Sequence, residues 1–254
     1  MAAAKAVQRP ERVEEVGGGI RICVSDDHTF STDSFLLSYF AAPHPRDLVC
    51  DLCTGCGIVP LLWHRDPAAR AGGQTYAIDI QPRAVRQMEE TVRLSGVSGF
   101  TPILGDLRAL DKNLPLGQFH LVTCNPPYKA EGTGLLSESS AGQAARHELF
   151  CTLEDVAAAA EKLLRFGGRL CLCQLPERLP DVLEAMRRHR IEPKRIRFAQ
   201  ARIDKAPWLV LVEGKLGAKP FLQVEAPLLM TIDGAQSPEA EAIYGRFGRK
   251  QREN

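Results

Sequence analysis

From Leu48 onward, short apolar runs of strand length alternate with segments of helical periodicity, and no other feature of the sequence constrains the fold as strongly. Strands that are apolar on both faces are typical of a parallel sheet covered by helices on both sides. We therefore predict a doubly wound α/β fold. The predicted strands are residues 48–52, 75–80, 102–104, 119–124, 169–174 and 208–212.

Three helices are predicted between and after these strands, over residues 82–95, 152–167 and 181–189. Pro82 suits the first turn of a helix, where no backbone hydrogen bond is lost. Thr152 with Asp155 predicts a capping box, and Gly167 predicts the end of that helix. Ligands of such folds bind beyond the carboxyl ends of the strands, so functional residues are expected there.

Composition and charge exclude several classes of protein. The 254 residues are 44% hydrophobic and 25% charged, which is ordinary for a globular chain and unlike a disordered or fibrous one. Lys and Arg total 32 and Asp and Glu total 31, so the net charge of +1 gives no argument from bulk charge for nucleic-acid binding. No apolar run approaches the ~20 residues of a membrane span, and the N-terminus lacks the apolar segment of a secretory signal. A soluble, cytoplasmic protein is expected.

The chain has eight cysteines, but disulfide frameworks belong to small secreted proteins, so reduced thiols are expected. Cys50, Cys53 and Cys56 form a C-x₂-C-x₂-C pattern that resembles the start of an iron–sulfur run. Pro60 stands where the fourth cysteine would belong, and Cys50 should lie inside a strand, facing away from the other two thiols. We therefore predict no metal or cluster.

A glycine-rich turn follows the first of these strands. Gly55 and Gly57 allow a tight strand-to-helix turn whose backbone can approach a ligand closely. Pro60 occupies the position where a dinucleotide fingerprint requires Gly or Ala, and the Gly-Lys-Ser/Thr sequence of a P-loop is missing. Asp51, ahead of the glycines, suits a ligand with a cationic amino group rather than a pyrophosphate.

Aspartates also follow the next two predicted strands. Asp79 could accept hydrogen bonds from both ribose hydroxyls of an adenosine, and Asp106 could accept one from an adenine amino group. Any of these aspartates could instead be a cap at the end of its strand. Their occurrence after successive strands, together with the glycine turn, favours a nucleoside ligand.

The fourth predicted strand ends in Asn125-Pro126-Pro127-Tyr128. The two prolines fix the backbone and remove two donors, which leaves rigid carbonyl acceptors. The Asn125 amide oxygen and the Pro126 carbonyl can together accept two hydrogens from a planar NH₂ group, and Tyr128 offers a face on which a flat base can stack. This arrangement would hold an exocyclic amine with its lone pair towards an electrophilic methyl group.

At these residues the chain resembles the class I S-adenosylmethionine-dependent methyltransferases that act on amino groups. More closely, it resembles the bacterial enzymes that methylate adenine N6 beside the anticodon of valine tRNA. Besides the glycine turn, the resemblance rests on FSTDSFLL (30–37), AIDIQPRA (77–84), CNPPY (124–128), ARHE (145–148) and EGKLGAKP (213–220).

The resemblance implies a Rossmann-like, mostly parallel sheet of seven strands and S-adenosylmethionine as the cofactor. It also implies the role of each matching residue: Asp51, Gly55 and Gly57 at the methionine part of the cofactor, Asp79 at its ribose, Asp106 and Leu107 at its adenine, Thr32 and Asp33 closing over it, and Asn125, Pro126, Pro127 and Tyr128 at the target amine.

One position departs from the family pattern, because Cys53 stands where glycine is usual. A side chain there would narrow the cofactor pocket. The predicted domain organisation is an N-terminal extension over the cofactor site (1–47), a methyltransferase domain (48–215) and a C-terminal tail (216–254).

A basic segment, residues 178–219, carries eleven Lys and Arg against five acidic residues, and it is densest over 187–197. Such a run is either a solvated face or a phosphate-binding surface. Arg146 could also contact phosphate, and His147 with Glu148 could be an acid/base pair or a structural helix end.

These observations predict methylation of an exocyclic amine, most plainly adenine N6 in tRNA near the anticodon. The basic segments favour RNA. One alternative is N5-methylation of a glutamine in a protein such as a release factor, although such enzymes usually carry a helical N-terminal domain that 47 residues can scarcely hold. A second is a non-catalytic RNA-binding module with the same fold. We expect a tRNA partner, with no membrane or metal.

Overall fold

The structure is a computed structural model that describes residues 11–25, 29–66, 73–126 and 151–245. Its strands are β1 (Arg12–Gly17), β2 (Ile20–Val24), β3 (Leu48–Leu52), β4 (Gln74–Asp79), β5 (Phe100–Leu104), β6 (Phe119–Cys124), β7 (Leu164–Gln174), β8 (Ile191–Gln200), β9 (Leu209–Leu216), β10 (Gln223–Val224), β11 (Leu228–Leu229), β12 (Thr231–Ile232) and β13 (Ala235–Gln236). Its helices are α1 (Thr32–Ala41), α2 (Ile58–Leu62), α3 (Pro82–Ser95), α4 (Leu153–Leu163), α5 (Leu179–Arg188) and α6 (Pro238–Tyr244).

A nine-stranded sheet forms the centre of the molecule, in the order β10-β8-β9-β7-β6-β3-β4-β5, with β11 also paired to β8. Five neighbouring strands of the sheet run parallel, in the order β5-β4-β3-β6-β7, whereas β9 is antiparallel to both β7 and β8. The prediction of a doubly wound, mostly parallel α/β fold is therefore confirmed. Seven strands of this sheet have five residues or more, and the two-residue strands β10 and β11 extend it beyond β8.

Helices cover both faces of the sheet, as the apolar runs predict. Val49 packs with side chains of α1, α2 and α3 in one core, whereas its neighbour Cys50 packs with α4 and α5 in the other. Because successive side chains of a strand point to opposite faces, a strand buried on both sides must be apolar throughout.

No helix in the described residues is long and apolar enough to cross a membrane.

The limits of the first two predicted helices are correct at three of their four ends, and the third, predicted over 181–189, is α5 (Leu179–Arg188). Pro82 begins α3, which Gly96 terminates in the left-handed conformation, and Thr152 forms a capping box with Asp155 at the start of α4. The predicted end of α4 at Gly167 is wrong, because the helix stops at Leu163 and the chain enters β7 directly. Gly168 lies within β7, where a Cβ would lie 2.8 Å from the Phe119 carbonyl oxygen, so only glycine fits beside β6.

Two features outside the predicted strands and helices extend the fold. The hairpin of β1 and β2 packs against α3, where the Cys23 N–H donates to Thr91 Oγ1 at 2.9 Å. At the other end of the chain, β10 and β11 pair with β8, and α6 packs against α1. The division of the chain into extension, domain and tail stays a prediction.

A buried carboxylate joins β7, β8 and β9. Glu213, only 8% exposed, accepts from the guanidinium groups of Arg169 and Arg195 at 3.0 Å each, and Arg195 also stacks over the Phe40 ring. Burial alone would raise the pKa of Glu213, but the two guanidinium groups lower it below its usual value. The ion pair therefore fixes the edge of the sheet against α1.

Replacing Glu213 by Gln should lower the free energy of unfolding by about 3 kcal/mol, because two partly buried guanidinium groups lose their counter-charge. Urea denaturation at neutral pH measures this change. Glu184→Gln is the control: it removes the exposed partner of Arg188 and should cost less than about 0.5 kcal/mol. Equal costs for the two variants would contradict the assignment.

Candidate active site

The parallel strands β4, β3 and β6 end together at one edge of the sheet. In the register of β3 and β6, Asp51 lies beside Thr123 and Leu52 beside Cys124. Asn125 therefore follows β6 at the same level at which the glycine turn follows β3. Neighbouring strands are about 4.8 Å apart, so the two predicted parts of the site are brought together.

Asp51 is a buried carboxylate at the end of β3, only 1% exposed. Its Oδ1 accepts a hydrogen bond from the Thr123 hydroxyl. Burial raises the pKa of Asp51 to about 7, the hydrogen bond from Thr123 opposes that shift, and the nearby Asp79 charge adds to it. A cationic group bound beside Asp51 would restore its charged form, as the sequence prediction requires.

The glycine turn has the geometry expected of a ligand cradle. Gly55 has φ +58°, and a Cβ built on it would meet nothing within 4 Å, so its backbone faces open space. Gly57, at φ +79°, precedes α2, and a Cβ there would lie 3.0 Å from Met88 Cγ. Gly55 is therefore exposed to a ligand, whereas Gly57 is required for packing.

Asp79, at the end of β4, is tied to the same turn. Its Oδ2 accepts from the Gly55 N–H at 2.8 Å and its Oδ1 accepts from the Gln81 N–H at 2.9 Å. Each carboxylate oxygen can accept a second hydrogen bond, so both remain able to bind a pair of hydroxyls. The residues present therefore fit the amino group and the ribose of the predicted cofactor.

Asp106 has a structural role in the described site. Its carboxylate caps the short helical turn Leu107–Ala109 by accepting from the Arg108 N–H, and it also pairs with the Arg108 guanidinium. The hydrogen bond from the Arg108 side chain lowers the pKa of Asp106. Leu107 is buried in the core. The capping alternative is thus observed, and contact of Asp106 and Leu107 with an adenine stays a prediction.

The first turn of α1 reaches the end of β6. Thr32 and Asp33 are the first two residues of α1, and the next residue, Ser34, accepts from Asn125 Nδ2 at 3.3 Å. On its other side, Asn125 Oδ1 accepts from the Cys173 thiol, with the sulfur 3.1 Å from the oxygen. Asn125 itself is half-buried.

The other predicted residues of the amine-binding motif are only partly covered. Pro126 is described and buried, but Pro127 and Tyr128 lie outside the described residues, as do Arg146 and His147. The sequence interpretation missed Thr123, Ser34 and Cys173. Each is a small side chain in an apolar or helical segment, with nothing in its local pattern to mark it as a site residue.

Cys53 adopts a conformation that L-residues rarely take, with φ +53°. Its sulfur lies 3.4 Å from the sulfur of Cys151, which precedes α4. Hydrogen bonding with Cys124, together with burial, raises the pKa of Cys53 well above its usual value. The position therefore has glycine-like backbone geometry, and its thiol contacts the thiols behind the turn. In the described part of the chain, no three Cys, His, Asp or Glu side chains converge as metal ligands.

Carboxylates neutralise much of the basic segment. Its densest part ends α5 and forms β8, where Arg187 pairs with Glu192 within the segment itself. The other pairs in this part are Arg188–Glu184, Arg190–Glu161, Arg195–Glu213 and Arg197–Glu239. Because these arginines pair with carboxylates of the protein itself, the pairs favour a solvated face over a phosphate-binding surface.

Comparisons with known proteins agree with the predicted resemblance. No family model matches the chain. A curated tRNA1(Val) (adenine(37)-N6)-methyltransferase from Porphyromonas gingivalis is 28% identical over 221 residues, which is 82% of this chain and 84% of that protein. The crystal structure of a predicted O-methyltransferase from Agrobacterium tumefaciens superposes with a TM-score of 0.67 at 19% identity, covering 84% of this chain and 95% of that one.

A tRNA m1G37 methyltransferase from M. jannaschii also shares the fold, with a TM-score of 0.53 at 16% identity. That superposition covers 85% of this chain and 59% of the other. The structural likenesses confirm the Rossmann-like methyltransferase fold.

The stability of the ligand-free protein should fall as pH rises from about 4 to 7 through Asp51. The folded state retains the Asp51 proton up to about pH 7, whereas the unfolded chain releases it near its usual value of 3.8. Asparagine does not titrate, so Asp51→Asn removes this loss. The free energy of unfolding of the variant, relative to that of the wild type, should therefore rise by on the order of 4 kcal/mol from pH 4 to pH 7. Urea unfolding of both proteins at several pH values tests this, and a constant difference between them would contradict it.

The strained backbone of Cys53 should be measurable with two substitutions. Cys53→Gly should be more stable than Cys53→Ala by about 1 kcal/mol, because both lose the thiol but only glycine relieves the positive φ. Cys50, inside β3, is the matched control, and there the glycine variant should be the less stable of the two. The same order of stabilities at both positions would contradict the strain.

Proposed function

We propose that the protein is an S-adenosylmethionine-dependent methyltransferase that acts on adenine N6 in tRNA, near the anticodon. One observation carries the proposal: Asn125 directly follows β6, and Asp51 is the last residue but one of the neighbouring strand β3, so an amine bound at Asn125 would lie beside the methionine end of a cofactor bound at Asp51. The similarity to curated tRNA adenine-N6 methyltransferases over most of the chain supports this substrate class.

The bound cofactor would supply an electrophilic methyl group on sulfur. Asp51 would bind its cationic amino group, the Gly55 backbone would lie against it and Asp79 would accept hydrogen bonds from its ribose hydroxyls. Asn125 Oδ1 and the Pro126 carbonyl accept the two hydrogens of the target amine and orient its lone pair for in-line attack, which is a positioning effect. Attack by the amine nitrogen would form the N–CH₃ bond as the S–CH₃ bond breaks, with the sulfur leaving as a neutral thioether. The methylated nitrogen, now cationic and acidic, would release a proton to solvent, so the reaction requires no strong base.

The target adenine must leave its stack to reach this edge of the sheet. Enzymes that modify a base bind it as an unpaired or flipped nucleotide, and anticodon loops present such bases. Tyr128 would stack on the base, as the motif predicts. A tRNA substrate agrees with a cytoplasmic enzyme.

Substrate class is tested by incubating the protein with methyl-labelled S-adenosylmethionine and either total tRNA or purified release factors. We expect label in tRNA, recovered as N6-methyladenosine after nucleoside digestion. Label in the release factor alone would replace the proposal by glutamine methylation. Cofactor binding without transfer to either substrate would favour a non-catalytic module.

Replacing Asn125 by Ala should lower kcat by about a hundredfold or more, because the target amine loses an acceptor that orients it. The Kd for S-adenosylhomocysteine, measured by calorimetry, should stay within a fewfold of the wild type. Asn113→Ala is the control, since Asn113 is an exposed asparagine after the short turn that Asp106 caps. Unchanged turnover by the Asn125 variant would overturn the role of this residue.

A further inference from the structure

Two buried side chains from distant parts of the sequence bind the amide of Asn125. The Cys173 thiol of β7 donates to Oδ1 with the sulfur 3.1 Å away, and the Ser34 hydroxyl of α1 accepts from Nδ2 at 3.3 Å. Cys173 is 0% exposed and Ser34 is 3% exposed, whereas Asn125 is half-buried and reaches the open edge of the sheet. The two anchors are therefore rigid and the amide between them faces the site.

The two anchors differ in what they can exchange with an amide. A hydroxyl donates and accepts well, so Ser34 could bind either end of the Asn125 side chain. A thiol is a weak donor and a still poorer partner for an amide N–H, so Cys173 favours the amide oxygen on its side. The side-chain amide of Asn125 has two orientations, which differ by a half-turn that exchanges Oδ1 and Nδ2. Cys173 and Ser34 together favour one of them.

The orientation of the Asn125 amide determines whether the site offers an acceptor to an amine. With Oδ1 in its observed position, an acceptor and not a donor is available to a hydrogen of the target NH₂ group, because an amide oxygen that accepts from Cys173 has two lone pairs. In the flipped state Nδ2 takes its place, and two NH₂ groups then face each other as donors. Two donors that face each other leave each other unsatisfied, so the amine would no longer be held in its reactive orientation.

We propose that Cys173 and Ser34 are positioning residues that fix the acceptor end of the Asn125 amide towards the target amine. This inference rests on the proposed function, because it assigns the amide oxygen to an amine substrate. Neither residue touches the substrate in this scheme. Their effect should therefore appear in kcat rather than in cofactor affinity.

The kinetic test compares Cys173→Ala with Cys173→Ser on the tRNA substrate. The alanine variant should lower kcat about fivefold to tenfold, with KM and the Kd for S-adenosylhomocysteine within about twofold. The serine variant retains a donor and should recover part of the loss. Cys50→Ala removes an equally buried thiol from β3 and should leave kcat within about twofold of the wild type.

A second variant approaches the amide from its other end. Ser34→Ala removes the acceptor of Nδ2 and should lower kcat in the same direction as Cys173→Ala. In the double variant, the fold loss in kcat should be smaller than the product of the two single losses, because both residues act through the same amide. Fully multiplicative effects would show independent roles and overturn the proposal.

The orientation of the amide can also be measured without any activity. The chain contains three asparagines, Asn113, Asn125 and Asn254, so ¹⁵N-asparagine labelling gives three side-chain NH₂ signals, and the Asn125→Ala variant assigns the relevant one. Cys173→Ala should shift the Asn125 signal and speed its hydrogen exchange, while Cys50→Ala should leave it unchanged.

The outcomes separate this inference from the proposed function. If the wild type methylates tRNA but Cys173→Ala matches Cys50→Ala in kcat and in the Asn125 signal, the positioning role is overturned. If Cys173→Ser lowers kcat as much as Cys173→Ala does, the packing of the thiol and not its hydrogen-bond donor matters, and the proposal also fails. If the wild type transfers no methyl group while Cys173→Ala still shifts the Asn125 signal, the anchoring of the amide is supported and the proposed function fails.

Discussion

Parallel hydrogen bonding of β3 to β4 on one side and β6 on the other determines where Asp51, Asp79 and Asn125 lie. Because the three strands run in the same direction and end at the same level, Asp51, Asp79 and Asn125 leave the sheet at one edge. A shift of one residue in either register would turn the side chains of the shifted strand to the opposite face. The apolar residues on both faces of β3 prevent such a shift, so the packing of the core defines the geometry of the site.

The same edge of the sheet holds conformations and charges that a folded chain would otherwise avoid. Asp51 is buried without a cationic partner in the described structure, and Cys53 has a positive φ without being glycine. Both are unfavourable in the ligand-free protein, and the cores on either side of β3 compensate for them. Strain and buried charge of this kind are concentrated at ligand sites, where a bound group relieves them.

Local sequence patterns predicted the parts of the fold that depend on local interactions. The limits of β3 and β6 followed from apolar runs, and α3 from Pro82 and Gly96, because caps and strand alternation act within a few residues. The end of α4 was wrong because Leu164 suits a helix or a strand equally, and only its pairing with Phe119 of β6 decides between them.

The missed elements depend on contacts between distant residues. β8 contains Pro193, Arg195 and Arg197, so its sequence resembles a solvated charge run, and only backbone pairing with β9 makes it a strand of the sheet. Ion pairs of Arg195 with Glu213 and of Arg197 with Glu239 then neutralise its charges. In the site, Asp51, Asp79 and Asn125 were predicted from motifs at strand ends. Cys173 and Ser34 could not be, because their role follows from a meeting of β7, α1 and β6 that no local pattern records.

The arginines of β8 also influence how a polyanion would meet the molecule. Arg195 lies 3.0 Å from Glu213 and Arg197 lies 2.6 Å from Glu239, so each pair acts as a dipole whose potential falls off faster than that of a free charge. Beyond a Debye length, about 8 Å at physiological ionic strength, little of that potential remains. This face therefore adds little long-range steering, and the rate at which RNA collides productively with it should be governed by diffusion and shape, with only a weak dependence on ionic strength.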